Sequence, residues 1–375
     1  MPKILLSANT DWYLFNFRIS LAEFLRSHGM EVVFVCPSGR FITEVQARGF
    51  RWIQWEVGRK TLNPLGELIS FLKLFRIYRE EKPLLVHHHT IKPVLYGTLA
   101  ARLARIQGIV NSITGMGYVF SSSDLAARLI RPFVKAFYRQ VLHQENVRVI
   151  FENNTDLELF ISQRLIGREQ VILISGVGVD TNKFSPVPEP RDPIVILMAT
   201  RMLWDKGVGI FVEAMRILHK RHTIRAVLAG EPDSGNPSNI PSETIQGWQE
   251  EGIVEWWGWQ SDMPGTYSKC HIVAFPTMYG EGVPTVLLEA LACGRAVVTT
   301  DVPGCRDVVT HGVNGLLVPV KNAKALAEAL KTLLLDGELR RNMGATGRKI
   351  ALEQFGNLKV NLETLSVYKQ LVKIE

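Results

Sequence analysis

Two glutamates stand eight positions apart in the stretch YGEGVPTVLLEALACG, inside a segment otherwise suited to a core. Glu281 lies in a loop just before Pro284, which suits the first turn of a helix because its missing N–H needs no partner there. Thr285, Glu289 and Cys293 then share one face of that helix at a spacing of four residues. This narrow polar stripe can press against a ligand that carries hydroxyl groups, with Glu289 accepting their hydrogen bonds. A carboxylate near a helix N-terminus followed by a solvated one fits the spacing equally well.

Two cations form a second group, in the stretch ATRMLWDKG. Arg201 and Lys206 follow a predicted strand and precede a predicted helix. Cations near a helix N-terminus form a site for an anion, most naturally a diphosphate, although exposed loop charges fit the pattern too. The chain contains no Asp-x-Asp sequence. A metal-bridged diphosphate therefore has little support, and the two cations would have to carry its charge.

Three histidines end an earlier predicted strand, in the stretch LVHHHTIKP. Because alternate residues of a strand point to opposite faces, at most His87 and His89 converge. No carboxylate or cysteine nearby completes a ligand set, so a hydrogen-bonding role for His89 is favoured over a metal site. The glycine-rich stretch SITGMGYVF follows the next strand. There, Gly115 and Gly117 can allow a ligand to approach the backbone closely, but a plain turn fits as well.

The elements that position these residues are predicted from a regular alternation of short apolar strands and helical patterns. This alternation favours parallel sheets covered by helices on both faces, whose ligands bind beyond the carboxyl ends of the strands. The pattern stops at SPVPEPRDP, where four prolines in nine residues indicate a stiff linker. We therefore predict two doubly wound α/β domains, at residues 1–186 and 187–356, with the linker as part of a hinge.

Composition narrows the class of protein. The chain of 375 residues has no apolar run of about 18 residues, so a membrane-spanning helix is not expected. Its N-terminus has no signal-peptide pattern, and its four cysteines are scattered along the chain. The net charge is +7, and residues 1–150 hold 20 Lys and Arg against 10 Asp and Glu. This excess indicates an anionic partner of the first half, or a solvated basic face without a partner. No nucleic-acid-binding module is visible, so nucleic acid is not an expected partner.

The order of these motifs resembles the retaining glycosyltransferase family 4, which has the GT-B fold. The likeness rests on Arg-x4-Lys-Gly, on GW at 258–259, on Glu-x7-Glu, and on the stretches SGVGVDTNKFSP and GVNGLLVP. It implies two Rossmann-like domains that face a central cleft. The first would bind the acceptor and the second the nucleotide sugar, and a C-terminal helix at 357–375 would pack back on the first domain.

The same resemblance implies a role for each candidate residue. Arg201 and Lys206 would neutralise the departing nucleotide diphosphate. Glu289 would hold the ribose hydroxyls, Glu281 would meet the donor sugar, and His89 would lie beside the reacting sugar, with the choice among the three histidines left open. Further ligand-binding candidates lie on glycine-containing loops: Gly282, Val283, Pro284, Thr285, Gly258, Trp259, Gly115 and Gly117. The resemblance implies neither a metal nor another cofactor.

A narrower likeness comes from HTIKPVLYGTLAARLA and VNSITGMGYVF. These stretches resemble bacterial enzymes that extend a sugar on an undecaprenyl-diphosphate lipid, such as bacillosamine-lipid N-acetylgalactosaminyltransferases and O-antigen and capsule enzymes. The expected reaction is retaining transfer of a hexose or N-acetylhexosamine from a nucleotide diphosphate sugar, with UDP favoured. The expected acceptor is a sugar on a polyprenyl diphosphate, in the assembly of surface glycans or glycoprotein glycans.

Such an enzyme is expected in the cytoplasm, peripherally associated with the inner face of the plasma membrane. Segments 71–82 and 128–139 interleave basic and apolar residues and are candidate contacts with an anionic membrane surface, although helices packed on the core fit them equally well. Two other functions stay open. One is a nucleotide-sugar 2-epimerase of the same fold, and the other is a non-catalytic, two-lobed sugar-binding protein.

Overall fold

The computed structural model describes residues 1–58, 64–115, 125–191 and 193–374. The chain divides into two compact units. The first comprises Met1–Val177 and Asn357–Glu375, and the second comprises Gly178–Gly356. Each unit is built on a parallel sheet, so the predicted α/β class with two Rossmann-like domains is confirmed.

A parallel sheet forms the centre of the first unit. Its strands are β1 (Lys3–Ser7), β2 (Glu31–Cys36), β3 (Arg51–Gln54), β4 (Leu85–His89), β5 (Gly108–Ile113), β6 (Val147–Phe151) and β7 (Val171–Leu173). Their order across the sheet is β3-β2-β1-β4-β5-β6-β7. The direction of winding therefore reverses between β1 and β4, and doubly wound sheets bind ligands beyond the carboxyl ends of the strands at such a reversal.

Helices cover both faces of this sheet, which explains why its strands are apolar without alternation. They are α1 (Asp11–Ser27), α2 (Ile42–Ala47), α3 (Pro64–Glu81), α4 (Thr98–Leu103), α5 (Leu125–Leu142) and α6 (Asn154–Ser162), with a π-helical turn at Pro93–Gly97 and a 3-10 turn at Arg168–Gln170. Leu14 of α1 and Val45 of α2 belong to the apolar core on one face. Leu74 of α3, Ala100 of α4 and Tyr138 of α5 belong to the core on the other face.

The second unit repeats this plan. Its strands are β8 (Ile194–Ala199), β9 (Ile224–Ala229), β10 (Glu255–Gly258), β11 (Ile272–Phe275), β12 (Ala296–Thr300) and β13 (Gly315–Val318). Their order is β10-β9-β8-β11-β12-β13, so the reversal point lies between β8 and β11.

The helices of the second unit are α7 (Val208–His219), α8 (Ser242–Glu250), α9 (Met263–Ser268), α10 (Thr285–Ala292), α11 (Cys305–Val308), α12 (Ala323–Leu335) and α13 (Gly337–Gln354), and a 3-10 turn at Trp204–Lys206 precedes α7. Among the described residues of the whole chain, no helix combines the length and the apolar character needed to cross a bilayer.

The C-terminal helix α14 (Asn357–Leu371) belongs to the first unit, as predicted. Its Tyr368 hydroxyl lies 2.7 Å from Nδ1 of His87 in β4, and both side chains are buried. Its Asn361 side-chain amide donates a 3.2 Å hydrogen bond to the Ser20 hydroxyl of α1. These polar contacts fix the rotation of the helix on an otherwise apolar surface, so the end of the chain completes the core that begins with β1.

The proline-rich stretch lies within the second unit, and the chain leaves the first unit between Val177 and Gly178 rather than after residue 186. Arg340 of α13 donates two hydrogen bonds of 2.8 Å to the Glu189 carboxylate. The His271 ring lies 3.0 Å from the Pro190 carbonyl oxygen. These bonds hold the stretch against the second unit. The prediction that this stretch links the two domains is therefore wrong.

Candidate active site

The predicted cations and one predicted glutamate lie at the carboxyl edge of the second sheet, on both sides of its reversal point. Arg201 follows β8, and Lys206 ends the 3-10 turn before α7. Glu281 follows β11, the neighbour of β8. The structure brings Lys206 and Glu281 into contact, with Nζ and Oε1 2.6 Å apart. This edge is where a doubly wound sheet binds its ligand.

The Lys206–Glu281 ion pair is largely shielded from water. The exposed fractions of the two side chains are 12% and 17%. The Thr277 hydroxyl donates a 2.9 Å hydrogen bond to the same carboxylate oxygen. The ammonium nitrogen also lies 5.6 Å from the ring centre of Phe275 and 5.7 Å from that of Tyr279, within the range of cation–π attraction. The positive charge is therefore fixed in position rather than carried by a mobile surface side chain.

A glycine makes this arrangement possible. Gly207 follows Lys206 with a φ of +80°, and a Cβ there would lie 1.9 Å from the Pro276 carbonyl oxygen. The turn before α7 therefore packs directly on the backbone that follows β11. The Met278 N–H also donates a 2.9 Å hydrogen bond to the Asp205 carbonyl oxygen. Backbone contacts, rather than side chains, thus set the distance between Lys206 and the loop that carries Glu281.

Arg201 is on the same edge but has a different partner. Its guanidinium donates a 2.8 Å hydrogen bond to a carboxylate oxygen of Asp233, and its side chain is 47% exposed. Asp233 follows β9 and was not predicted to belong to the site. An exposed ion pair contributes little to stability, so this guanidinium can exchange its carboxylate for an anionic ligand at small cost.

The predicted donor-binding residues around α10 are largely enclosed. Gly282, Val283 and Pro284 are buried, and Thr285, the first residue of α10, is half-buried. Pro284 is the N-cap, one position before the predicted first turn. A Cβ at Gly304 would lie 1.9 Å from the Gly282 carbonyl oxygen. The loop that carries Glu281 is therefore pressed against the backbone after β12, which fixes its path.

Glu289 projects from α10 and meets side chains that the sequence did not indicate. The Tyr267 hydroxyl donates a 2.9 Å hydrogen bond to its carboxylate. Burial raises the pKa of Glu289 to about 7, although the Tyr267 hydrogen bond and the charge of Lys183 act in the opposite direction. Glu289 and Thr285 keep some contact with water, whereas Cys293 is buried at the end of the helix. Of the three residues of the predicted stripe, Thr285 and Glu289 are partly exposed and Cys293 is not.

Gly258 and Trp259 lie further along the same edge. Gly258 ends β10 with a φ of +62°, and its carbonyl oxygen accepts a 2.7 Å hydrogen bond from the Gly230 N–H at the end of β9. A Cβ at Gly230 would lie 1.9 Å from the Thr200 carbonyl oxygen after β8. The ends of β8, β9 and β10 are thus in backbone contact. The Trp259 side chain beside them is 42% exposed and presents a flat apolar surface.

The three histidines of the first unit alternate as predicted. The ring centres of His87 and His89 are 4.1 Å apart on one face of β4. His88 lies on the opposite face, with its Nε2 2.9 Å from the Tyr78 hydroxyl and its Nδ1 2.8 Å from the Asn111 side-chain oxygen. All three histidines are buried, and the position of β4 at the reversal point of the first sheet places them at its ligand-binding edge.

His87 and His89 differ in their hydrogen bonds. The two ring nitrogens of His87 lie 2.7 Å from the hydroxyls of Tyr368 and Ser112. His89 Nδ1 accepts a 3.2 Å hydrogen bond from Nε–H of Arg18 in α1. Its Nε2 is buried and has no hydrogen-bond partner in the described part of the chain. Of the three rings, His89 alone thus keeps a nitrogen for a ligand among the described residues.

The Arg18 contact fixes the tautomer of His89. Because an arginine Nε–H can only donate, Nδ1 of His89 must be unprotonated and Nε2 must carry the hydrogen. Burial lowers the pKa of His89 well below its usual value, and the charges of His87 and Arg18 lower it further. The next residue, Thr90, has a left-handed backbone with φ +69°. His89 therefore presents a neutral N–H donor at the end of β4, beside a strained residue.

Two predicted ligand-binding glycines remain. Gly115 lies two residues beyond β5 with a φ of +130°, a conformation that favours glycine. Gly117 lies outside the described residues, together with the rest of its loop through residue 124. Among the described residues, no three His, Cys, Asp or Glu side chains are grouped as a metal site requires.

Comparison with known families follows the division into two units. Residues 3–151 match the family model described as glycosyl transferase 4-like, and residues 179–350 match that of glycosyl transferases group 1. Anabaena HepE, solved in complex with UDP-glucose, superposes with a TM-score of 0.82 at 20% identity, over 99% of this chain and 100% of HepE. The chain is a glycosyltransferase of the GT-B fold. WaaG, a glycosyltransferase of lipopolysaccharide biosynthesis, shares the fold, with a TM-score of 0.75 at 16% identity over 97% of this chain and 99% of WaaG.

Relatives in sequence span nearly the whole glycosyltransferase. The Campylobacter jejuni N,N'-diacetylbacillosaminyl-diphospho-undecaprenol alpha-1,3-N-acetylgalactosaminyltransferase is 28% identical, with 96% of each chain covered. The Staphylococcus aureus capsular polysaccharide glycosyltransferase CapM is 26% identical over 94% of this chain and 93% of its own. An Escherichia coli UDP-Gal:alpha-D-GlcNAc-diphosphoundecaprenol alpha-1,3-galactosyltransferase is 22% identical over 84% of this chain and 83% of its own.

Several residues of the glycosyltransferase's candidate site were not predicted from the sequence, among them Asp233, Tyr267, Lys183 and Arg18. Asp233 and Tyr267 gave no signal, because each reaches its partner across a gap of more than 20 residues. Lys183 lies inside the stretch SGVGVDTNKFSP, and nothing in that stretch distinguishes it from an ordinary exposed lysine. Arg18 could have been found, since an arginine that interrupts an apolar face of α1 needs a buried partner.

Proposed function

We propose that this glycosyltransferase moves a hexose or N-acetylhexosamine from a nucleotide diphosphate sugar, with UDP favoured, to a sugar on a polyprenyl diphosphate, with retention of anomeric configuration. The enclosed Lys206–Glu281 pair at the reversal point of the second sheet carries this proposal. The names of the Campylobacter and Escherichia coli relatives support the proposed class of acceptor, because both names describe a sugar on diphospho-undecaprenol. The reaction belongs to bacterial surface-glycan or glycoprotein-glycan assembly.

The difficult step is cleavage of the bond between the sugar and the diphosphate. The leaving diphosphate gains negative charge in the transition state, while the sugar becomes positively charged. Preorganised cations in an enclosed site stabilise that charge most when the bond is nearly broken. Lys206 supplies such a cation, and Arg201 supplies a second one that can leave Asp233 for a phosphate oxygen. We propose that these two side chains replace a metal ion, so that neither metal nor cofactor takes part.

The donor sugar is assigned to Glu281. In the structure its carboxylate is occupied by Lys206 and Thr277. Because the Lys206 ammonium keeps its contact with the carboxylate while it faces the diphosphate, the carboxylate is held where it can accept hydrogen bonds from the sugar hydroxyls. Binding of the diphosphate and recognition of the sugar are coupled in this way. Glu289, oriented by Tyr267, accepts hydrogen bonds from the ribose, and Gly258 and Trp259 border the nucleobase.

Retention of configuration is proposed to occur without a protein nucleophile. The acceptor hydroxyl attacks the sugar from the face that the diphosphate leaves, and a phosphate oxygen takes its proton. The new glycosidic bond forms as the old bond breaks, so the leaving group is also the base. His89 takes part as a neutral N–H donor to an oxygen of the reacting sugar. It is not the base, because its pKa is low and its Nδ1 is occupied by Arg18.

Because the acceptor is a lipid, we propose that the enzyme works on the inner face of the plasma membrane, peripherally associated with its anionic surface. The excess of Lys and Arg in residues 1–150 supports this placement. The first unit is proposed to bind the acceptor and the second to bind the nucleotide sugar.

Nucleotide-sugar consumption, screened over UDP- and GDP-sugars with and without a polyprenyl-diphosphate-linked sugar, tests this function. We expect release of the nucleotide diphosphate only when the acceptor is present, with the anomeric configuration retained in the product. Arg201→Ala and Glu281→Gln should each reduce transfer by roughly 100-fold. The matched control is Arg216→Ala, an exposed ion-paired arginine on α7, which should keep full activity.

Three outcomes would contradict the proposal. Conversion of the donor without an acceptor would indicate a 2-epimerase. Binding without turnover of any nucleotide sugar would indicate a sugar-binding protein. An inverted product, or a trapped glycosyl-enzyme adduct, would contradict retention without a nucleophile.

A further inference from the structure

Helix α3 carries an exposed apolar row: Leu65, Leu68, Ile69 and Leu72. Their exposed fractions are 72%, 53%, 56% and 52%. Their spacing of three, four and seven residues places them on one face of the helix. The opposite face of the helix packs on the core of the first unit, where Leu74 and Tyr78 are buried. Proteins rarely leave such a continuous apolar face in water, so this face is suited to contact another apolar surface.

This row lies mostly before residues 71–82, the segment that was predicted to contact the membrane. Within that segment the apolar residues fill the core: Leu74 and Tyr78 are buried, and Phe71 and Phe75 are half-buried against them. After Leu72, the exposed side chains of that segment are charged. The outward face of α3 is therefore apolar over its first two turns and charged from residue 73 onward. The interleaving of basic and apolar residues in the sequence did not reveal this change.

Helix α5 has a second exposed apolar pair beside a row of cations. Leu129 and Phe133, one turn apart, are 63% and 78% exposed. Next to them a basic row runs along the helix at spacings of three and four residues: Arg128, Arg131, Lys135 and Arg139. The sequence of α5 contains no Asp or Glu. A helix with this composition complements a surface that is apolar inside and anionic outside.

The two helices bring these features to the same edge of the first unit. Helices α3 and α5 both pack on one face of its sheet, in the same apolar core. Each connects parallel strands, so each begins at the carboxyl edge of the sheet and returns to the amino edge. The exposed apolar residues lie near the beginnings of both helices. They are therefore on the edge where β4 ends in His89.

We propose that the apolar row of α3 and the Leu129/Phe133 pair of α5 insert together into the surface of an anionic bilayer, where the basic row of α5 contacts lipid phosphates. The charge of α5 favours a bilayer over a second copy of the chain, since two such faces would repel each other. The purpose of this membrane contact rests on the proposed function: it brings a lipid-linked acceptor to the edge of the first sheet where β4 ends in His89. The lipid contact itself can be measured without any transfer.

Flotation of the full chain with vesicles tests the proposal. We expect binding to vesicles of phosphatidylglycerol and phosphatidylethanolamine and weak binding to phosphatidylcholine. A variant with Leu65→Ser, Leu68→Ser, Ile69→Ser and Leu72→Ser should bind roughly tenfold more weakly or worse, because membrane affinity scales with the apolar area buried. The triple variant Arg128→Gln, Arg131→Gln, Lys135→Gln should lose the preference for phosphatidylglycerol. The matched control is Leu358→Ser with Leu362→Ser, two exposed leucines of α14 in the same unit, which should bind like the unaltered chain.

A second assay separates this inference from the proposed function. Transfer to a water-soluble, short-chain prenyl-diphosphate sugar should be unchanged in the serine variant, while transfer to the acceptor in vesicles should fall. If the unaltered chain transfers nothing to either acceptor, the proposed function fails, whatever the vesicles show. The membrane surface is refuted if the unaltered chain does not float with phosphatidylglycerol vesicles. It is also refuted if the α14 control loses as much binding as the serine variant, or if the row instead holds a dimer in light scattering.

Discussion

At the scale of single residues, the candidate site depends on charges whose positions and protonation states are set by buried neighbours. Lys206 is fixed by a carboxylate and two aromatic rings, and His89 is held by a buried arginine. Glu289 has a carboxyl whose pKa lies near neutrality. The neighbours of Lys206 and His89 restrict each of them to one state, which is how a site can stabilise a transition state without reorganising.

Arg18 gives the first prediction at this scale. Replacing it by Met removes the donor to Nδ1 of His89, so the ring should become a mixture of both neutral tautomers. Proton-detected spectra of the full chain labelled with [15N]histidine report the tautomer directly. In the unaltered chain we expect hydrogen on Nε2 only at neutral pH, because the pKa of His89 is lowered well below its usual value. Transfer should fall through kcat rather than through the KM of the donor.

The controls for this prediction are two conservative or neighbouring changes. Arg18→Lys keeps a donor and should retain the Nε2–H tautomer and part of the activity. Arg26→Met removes an arginine of the same helix that donates to the Arg48 carbonyl oxygen and lies over the Phe50 ring, and it should change neither. A spectrum of the unaltered chain with hydrogen on Nδ1 of His89 would refute the assignment.

Glu289 gives a prediction about pH. With a pKa raised to about 7, its carboxyl is mostly protonated at pH 6 and mostly ionised at pH 8. An ionised carboxylate accepts hydrogen bonds from ribose hydroxyls more strongly, so calorimetric affinity for UDP should rise by up to roughly tenfold over this interval. Glu289→Gln should abolish that rise, apart from the part that comes from ionisation of the diphosphate itself. Equal pH dependence in the two proteins would contradict the role of Glu289.

The same raised pKa has a consequence of opposite sign for stability. Between its ordinary value of 4.5 and about 7, the folded chain keeps a proton on Glu289 that the unfolded chain has released. The contribution of this group to stability is therefore present at acidic pH and is lost as the pH rises toward 7.

At the scale of elements, strand ends and tight turns decide which residues meet. The alternation of strands and helices could be predicted, because near-continuous apolar strands leave few other arrangements. It also follows that residues directly after strands, such as Arg201 and Glu281, share one edge. The order of strands across each sheet could not be predicted. That order makes β8 and β11 neighbours and so places Lys206 beside Glu281.

Gly207 provides the prediction at this scale. A methyl group there would meet the Pro276 carbonyl oxygen at 1.9 Å, on a backbone with φ +80°. Gly207→Ala should therefore push the turn that carries Lys206 away from β11 and lower transfer along with thermal stability. Gly252→Ala is the control, since Gly252 has φ +70° but no atom within 4 Å of an added Cβ. The control should lose about 1 kcal/mol of stability and keep its activity. Equal effects in the two variants would show that backbone strain alone matters.

At the scale of the whole molecule, two units with the same plan each place candidate residues at the reversal point of their own sheet. Composition and the proline-rich stretch predicted two domains, but the true boundary depends on the Arg340–Glu189 and His271–Pro190 contacts, which join distant segments. The exposed apolar row of α3 also could not be predicted, because a helix that is apolar on several sides does not reveal which side the core takes. The excess of Lys and Arg in residues 1–150, by contrast, could be predicted from the sequence.

The central claim is that Arg201 and Lys206 stabilise the departing diphosphate without a metal ion. The most direct test is the steady-state turnover of nucleotide sugar and lipid-linked acceptor, measured first after exhaustive treatment with EDTA and then with added Mg²⁺ or Mn²⁺. We expect the same kcat in all three conditions. Loss of turnover in EDTA that a divalent ion restores would contradict the claim.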